Sequence, residues 1–179
     1  MTRLALLAAL FVMVIGGARA QDRSVSQRVA EAVAPLPHDL QADASVIAYD
    51  SAAKKTVLRE GTNHMVCTAD SPFPGFSVTC YPKALQGYRD RMEELWEASE
   101  DVFEEIISAE IKQGKLNIPD RTVFYVVRGA EFRNALPLTV VYLPDATPET
   151  TGLTTTPSHY RPWLMFAGTP AAHIMIPGK

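Results

Sequence analysis

The sequence predicts an α+β fold in which a twisted antiparallel sheet is covered by one long amphipathic helix plus a short N-terminal helix. Two patterns predict it. After Pro82, the residues Leu85, Tyr88, Met92, Leu95, Trp96, Val102, Phe103, Ile106 and Ile107 fall on one stripe with a period of about 3.6, and Gly114 marks the end of that helix. Around this segment lie roughly five to seven short runs whose apolar residues alternate or cluster as strands do, separated by turn residues. A helix with one apolar face must cover a second layer, and the strands provide it.

Taken in order, residues 1–20 have the organisation of a secretory signal peptide. Arg3 supplies a positive start, Leu4 to Ile15 an apolar run, and Ala18-Arg19-Ala20 the small-x-small pattern before a cut. The run is roughly twelve residues, short of the ~20 of a bilayer-spanning helix, and no later stretch approaches that length. The mature chain, 21–179, is therefore expected to be a single globular domain with no transmembrane segment, secreted and most naturally resident in a bacterial periplasm. Removing Arg3 and Arg19 takes the formal net charge from -3 to -5, which argues against nucleic acid as a partner.

Asp22 and Ser24 can cap a short helix in which Val25, Val29, Ala32 and Val33 recur, ended by Pro35 and Pro37. Ala44 to Asp50 and Thr56 to Glu60 read as a hairpin with a polar turn, and Phe76 to Tyr81 as a strand that puts Cys80 on its apolar face. The outer face of the long helix is acidic, with Glu93/Glu97, Glu97/Asp101, Glu100/Glu104 and Asp101/Glu105 as like-charge pairs at i,i+4. Thr122 to Val127 and Leu138 to Leu143 look like central strands, Asp145 to Ser158 like an exposed loop. Trp163 to Ala167 and His173 to Ile176, separated by Gly168-Thr169-Pro170, complete a last hairpin.

The chain has two cysteines, Cys67 and Cys80. In an exported protein without C-x-x-C spacing they predict a disulfide that brackets a hairpin.

Alternation along the last strand puts His173 and Met175 on one face. If that face meets Asn63-His64-Met65, then His64, His173 and Met175 form the imidazole and thioether set that suits copper. A histidine buried near neutrality can also serve as a general base, which makes His173 the candidate for a hydrolytic reaction. His159, beside Tyr160 and Arg161, closes the long loop, and His38 sits in a surface turn. The chain carries no G-x-S-x-G elbow, P-loop, G-x-G-x-x-G, H-E-x-x-H, haem-attachment or EF-hand pattern, so these catalytic signatures are absent and the cofactor is unknown.

Two blocks carry a resemblance. The segment from Leu58 to Cys67 matches an L-R-x-G-x-N-x-x-x-C element, and that from Gly168 to Pro177 a G-T-P-x-A-H-x-M-x-P ending. Both resemble a group of uncharacterised exported bacterial proteins, similar at the two ends of the mature fold. The resemblance implies an exported single-domain protein and brings no activity with it. Members of the group often have Asn-Gly-Trp where this chain has Asn63-His64-Met65. That departure weakens a copper site there and leaves Asn63, Thr169 and His173 as the shared polar positions. The expectation is a periplasmic binding or accessory protein, with a polar pocket of Asn63, Thr169 and His173 near the Cys67/Cys80 bridge and a small molecule or a protein as its ligand. Hydrolysis through His173, and metal binding through His64, His173 and Met175, stand as the alternatives.

Overall fold

The computed structural model describes residues 23–50, 54–70, 75–95 and 98–178. The expected signal peptide, Asp22, Trp96 and Glu97 lie outside the described residues.

Helix α1 (Val25–Val33) starts at Ser24, whose hydroxyl accepts from the Gln27 N–H at 3.2 Å while the Gln27 side chain accepts from the Ser24 N–H at 2.9 Å. This reciprocal cap satisfies two donors that a helix start leaves free. Ala32 and Val33 face inward, whereas Val25 is exposed. A one-turn helix α2 (His38–Gln41) leads to β1 (Ser45–Tyr49), which pairs antiparallel with β2 (Lys55–Arg59) as the first hairpin. Strand β3 (Met65–Ala69) then pairs parallel with β1 on its other side and antiparallel with β4 (Phe76–Pro82). Strand β3 is covered on both faces of the sheet, and all five of its residues are buried.

A 3-10 turn at Lys83–Leu85 opens into α3 (Gln86–Glu94), and α4 (Glu100–Lys112) follows as a separate helix. The latter ends in a Schellman arrangement: Gly114 has φ +70°, its N–H bonds the Ile111 carbonyl, and the Lys115 N–H bonds that of Glu110. Strands β5 (Val123–Gly129) and β6 (Leu136–Tyr142) form a long hairpin beside β4. Helix α5 (Pro148–Thr151) occupies part of the segment read as a loop, capped reciprocally by Thr147 and Thr150. Finally β7 (Trp163–Met165) and β8 (His173–Pro177) pair as the last hairpin, with β8 against β6. The sheet has eight strands in the order β2-β1-β3-β4-β5-β6-β8-β7.

This architecture corrects the expected one in two respects. The sheet is mixed, because the chain leaving β2 crosses beneath the start of β1 and enters β3 parallel to it. No single long helix covers it: the apolar stripe from Leu85 to Ile107 belongs to two short helices. The break has a local cause. Ser99 takes extended backbone and its hydroxyl accepts from the Val102 N–H at 3.4 Å, so a new helix starts there. Arg91 then ties the two helices together through a fork onto Glu110, at 2.8 and 3.0 Å.

Alternation gives the sheet two differently covered faces. Val46, Ala48, Met65, Cys67 and Cys80 point to one side and pack under α1 with Ala32, Val33 and Leu36. Tyr81, Phe124, Val126, Val140 and Tyr142 point to the other and pack against Leu85, Tyr88 and Ile107 of the α3–α4 layer. The Cys67–Cys80 disulfide is formed, joining directly opposed residues of β3 and β4 beneath α1. Among the described residues, no helix is long and apolar enough to cross a membrane.

Candidate functional site

A cavity of about 710 Å³ lies between the second sheet face and the α3–α4 layer. Its floor is the sheet: Thr68 of β3, Thr79 of β4, Phe124 and Val126 of β5, Val140 and Tyr142 of β6, His173 and Met175 of β8. Tyr88, Arg89, Met92 and Glu93 of α3 and Phe103 of α4 come down onto it. Side chains two apart on a strand share a face, so β5, β6 and β8 each deliver a pair of groups to the same space.

Three sets of polar groups stand out around this cavity, which Ser77, Tyr88, Arg128, Tyr142 and His173 also line. On the floor, the hydroxyls of Thr68 and Thr79 lie 2.8 Å apart and hydrogen-bond each other. At one end, Tyr49 donates to Glu93, which also receives the Lys55 ammonium at 2.9 Å. Burial first, and that hydrogen bond second, push the Tyr49 phenol well above its ordinary pKa. The chain of contacts continues outward from Lys55 to Asp90, to Gln86 at 2.8 Å and to the Tyr81 hydroxyl at 3.1 Å. Arg89 is the third set. Its guanidinium carbon stands 5.1 Å from the Phe124 ring centre and 5.6 Å from that of Tyr81, and its side chain is 11% exposed.

His173 closes the opposite end. It is buried, with its ring 5.1 Å from that of Tyr142 and 5.6 Å from that of Phe166. Its Nδ1 lies 2.8 Å from the Ala171 carbonyl oxygen, an acceptor only, so Nδ1 carries the proton and Nε2 holds the lone pair. Burial holds its pKa below the ordinary histidine value, opposed by the Ala171 hydrogen bond. The neutral ring is thus favoured in the folded state, while the unfolded chain binds the proton below about pH 6.5. Stability from this residue is complete above that pH and falls as pH drops through the folded-state pKa. In thermal melts between neutral and mildly acid pH, His173→Gln is expected to flatten the acid-side loss of stability. An unchanged slope would refute the assignment.

The predicted site residues separate. His173 and Met175 both reach the cavity, as strand alternation requires. Asn63 does not: its amide donates to the Leu40 carbonyl at 2.9 Å and its oxygen accepts from the Met65 N–H at 2.8 Å. It precedes β3, four strand positions from β8, on the order of 19 Å away across the sheet. Thr169 is a turn residue, whose hydroxyl accepts from the Ala171 N–H at 3.2 Å and whose carbonyl accepts from Asp145 and Ala172. His64 is exposed beside Leu40, and Met65 packs in the α1 layer. His64, His173 and Met175 are therefore not brought together, and the disulfide lies on the face away from the cavity. Among the described residues no group of three His, Cys, Asp or Glu side chains is arranged to hold a metal ion. His38 and His159 are exposed.

Sequence reasoning missed Arg89, Glu93, Tyr49 and the threonine pair, all of which belong to elements whose contacts are set across the sheet. The alternation of β4, with Thr79 on the face opposite that of Cys80, was the available signal. No protein-family model, curated protein or solved structure matches this chain.

Proposed function

We propose that the protein is an exported binding module that holds one small, largely apolar molecule between the sheet and the α3–α4 layer. The cavity carries this reading: about 710 Å³ is within the ~300–1,000 Å³ range of small-molecule sites, and aromatic and aliphatic walls surround a few placed polar groups. The disulfide supports an oxidising compartment. Binding is favoured over hydrolysis because, among the described residues, no hydroxyl or carboxylate hydrogen-bonds His173; its side-chain neighbours are rings. A general base needs a nucleophile or water held at its lone pair, and the arrangement builds a wall instead.

Native mass spectrometry of the protein isolated from its own exported compartment, with a titration of the neutral fluorophore Nile red, tests the reading. Expected results are a bound small molecule or saturable dye binding in the natural protein. Val140→Phe, which thickens the cavity floor, should keep the fold and reduce that binding at least tenfold, or about 1.4 kcal/mol. A ligand-free protein that also fails to bind the dye sinks the proposal, as does full binding by Val140→Phe.

A further inference from the structure

Arg89 gives this cavity a preference that its apolar walls alone would not. The side chain is 11% exposed, yet its Nε finds no hydrogen-bond acceptor. A guanidinium has five N–H donors in a fixed fork. Here one nitrogen meets the Met92 sulfur at 3.6 Å, a weak acceptor, and another reaches Glu93 only at 4.0 Å. Glu93 is itself engaged by Tyr49 and by Lys55 at 2.9 Å, so little of its charge is left for Arg89. The rings of Phe124 and Tyr81 hold the guanidinium in place without supplying an acceptor. A largely covered cation held in this way, at the wall of a cavity, is set up to receive an anion.

We propose that Arg89 anchors the carboxylate of a small organic acid whose apolar tail fills the rest of the cavity. The inference rests on the binding reading above and names its ligand class. Nε itself is closed off from the cavity, so a carboxylate would meet the two terminal nitrogens of the fork with two parallel hydrogen bonds. A single negative charge balances the one guanidinium, whose other close neighbours are the Phe124 and Tyr81 rings and the Met92 sulfur. The tail runs over Phe124, Val126 and Val140 toward Met175 and His173, whose neutral ring adds no second charge. Straight alkyl and aryl-alkyl acids share this chemistry, and the experiment separates them.

The test compares decanoate with 1-decanol and 4-phenylbutyrate with 4-phenylbutan-1-ol, by calorimetric titration near neutral pH. The natural protein, Arg89→Met and Arg89→Lys are titrated together. At least one acid is expected to bind about tenfold or more tightly than its alcohol. Arg89→Met should abolish that preference while keeping the alcohol's affinity, and Arg89→Lys should retain only part of it, since the ammonium lacks the fork. Whichever acid shows the preference identifies the tail. Equal affinity for acid and alcohol in the natural protein, or a preference that survives Arg89→Met, overturns the anchor and leaves the cavity reading standing. Failure of all four probes in a protein that binds Nile red overturns the anchor alone, and failure of the dye as well overturns both. The unliganded melting temperature provides a second readout. An under-bonded buried cation replaced by methionine should leave it unchanged or higher. A lower value would assign Arg89 to the fold and overturn the proposal.

Discussion

Gly61→Ala is expected to destabilise the protein by about 3 kcal/mol or more, a large fraction of the stability of a domain of this size. A methyl group at this position would stand 2.2 Å from the Ser45 nitrogen, 2.3 Å from the Ala44 carbonyl carbon and 2.5 Å from the Asp43 oxygen. All three are backbone atoms at the entry to β1, so no side chain can swing aside. The crossing beneath β1 is clamped on both sides of the glycine. Arg59 donates to the Ala44 carbonyl at 3.0 Å and to that of Gln41 at 2.6 Å. On the other side the Asn63 N–H reaches Asp43 at 3.0 Å, and its amide reaches Leu40. Relief of the clash must therefore move β1, which is hydrogen-bonded to β2 and β3 and buried on both faces. Gly87→Ala provides the control. Nothing lies within 4 Å of its would-be methyl group, it sits in α3 with no positive φ, and alanine there should stabilise by up to ~1 kcal/mol. Urea denaturation of the two variants should show midpoints moving in opposite directions. A Gly61→Ala midpoint close to the natural one would mean that the crossing does not hold β1.

The same residues explain what was legible in the sequence. Arg59, Gly61 and Asn63 stand out as a motif: Arg59 and Asn63 bond backbone carbonyls of residues 40–44, and the Gly61 N–H donates to the Ser45 hydroxyl. Short polar side chains such as Asn63 and Thr169 readily bond nearby backbone, so a polar residue at a turn reads equally well as a site or as a fold element. Only the tertiary partners decide. Period-two alternation correctly gave His173 and Met175 a shared face, because that depends on local backbone geometry alone. The stripe from Leu85 to Ile107 runs on numerically through the break, but its residues do not share one buried face: Tyr88 and Ile107 are buried, whereas Val102, counted on the same stripe, is 45% exposed at the start of α4. The break at Ser99 was marked by an N-cap residue followed by Glu100 and Asp101, a local signal that competed with the period. Strand β3 escaped notice because its five residues are buried on both faces and show no alternation. The cavity draws on groups from α3, α4 and seven strands, and nothing local in the sequence marks Arg89 apart from other helix cations.

Replacing Cys67 and Cys80 together by alanine is expected to lower stability by about 3 kcal/mol, the chain-entropy value for a loop of this length. The two half-cystines are 13 positions apart and directly opposed across β3 and β4, so the bridge mainly restricts the unfolded chain. Both are fully buried, and the Ala32 carbonyl oxygen of α1 lies 3.1 Å from the Cys80 sulfur. A thiol reductant must therefore wait for α1 to lift. Reductant added under native conditions should leave the melting temperature unchanged over a short incubation, whereas reductant present throughout a urea titration should reproduce the double variant's midpoint. Rapid reduction of the folded protein would show that α1 opens readily. The cavity supplies the sharper discrimination, because it occupies the other face of the same two strands through Thr68 and Thr79. If the bridge acts on the unfolded state, the double variant held well below its melting temperature should bind Nile red as the natural protein does. Weakened binding by the folded variant would mean that the bridge also sets the spacing of β3 and β4, and so positions the cavity floor.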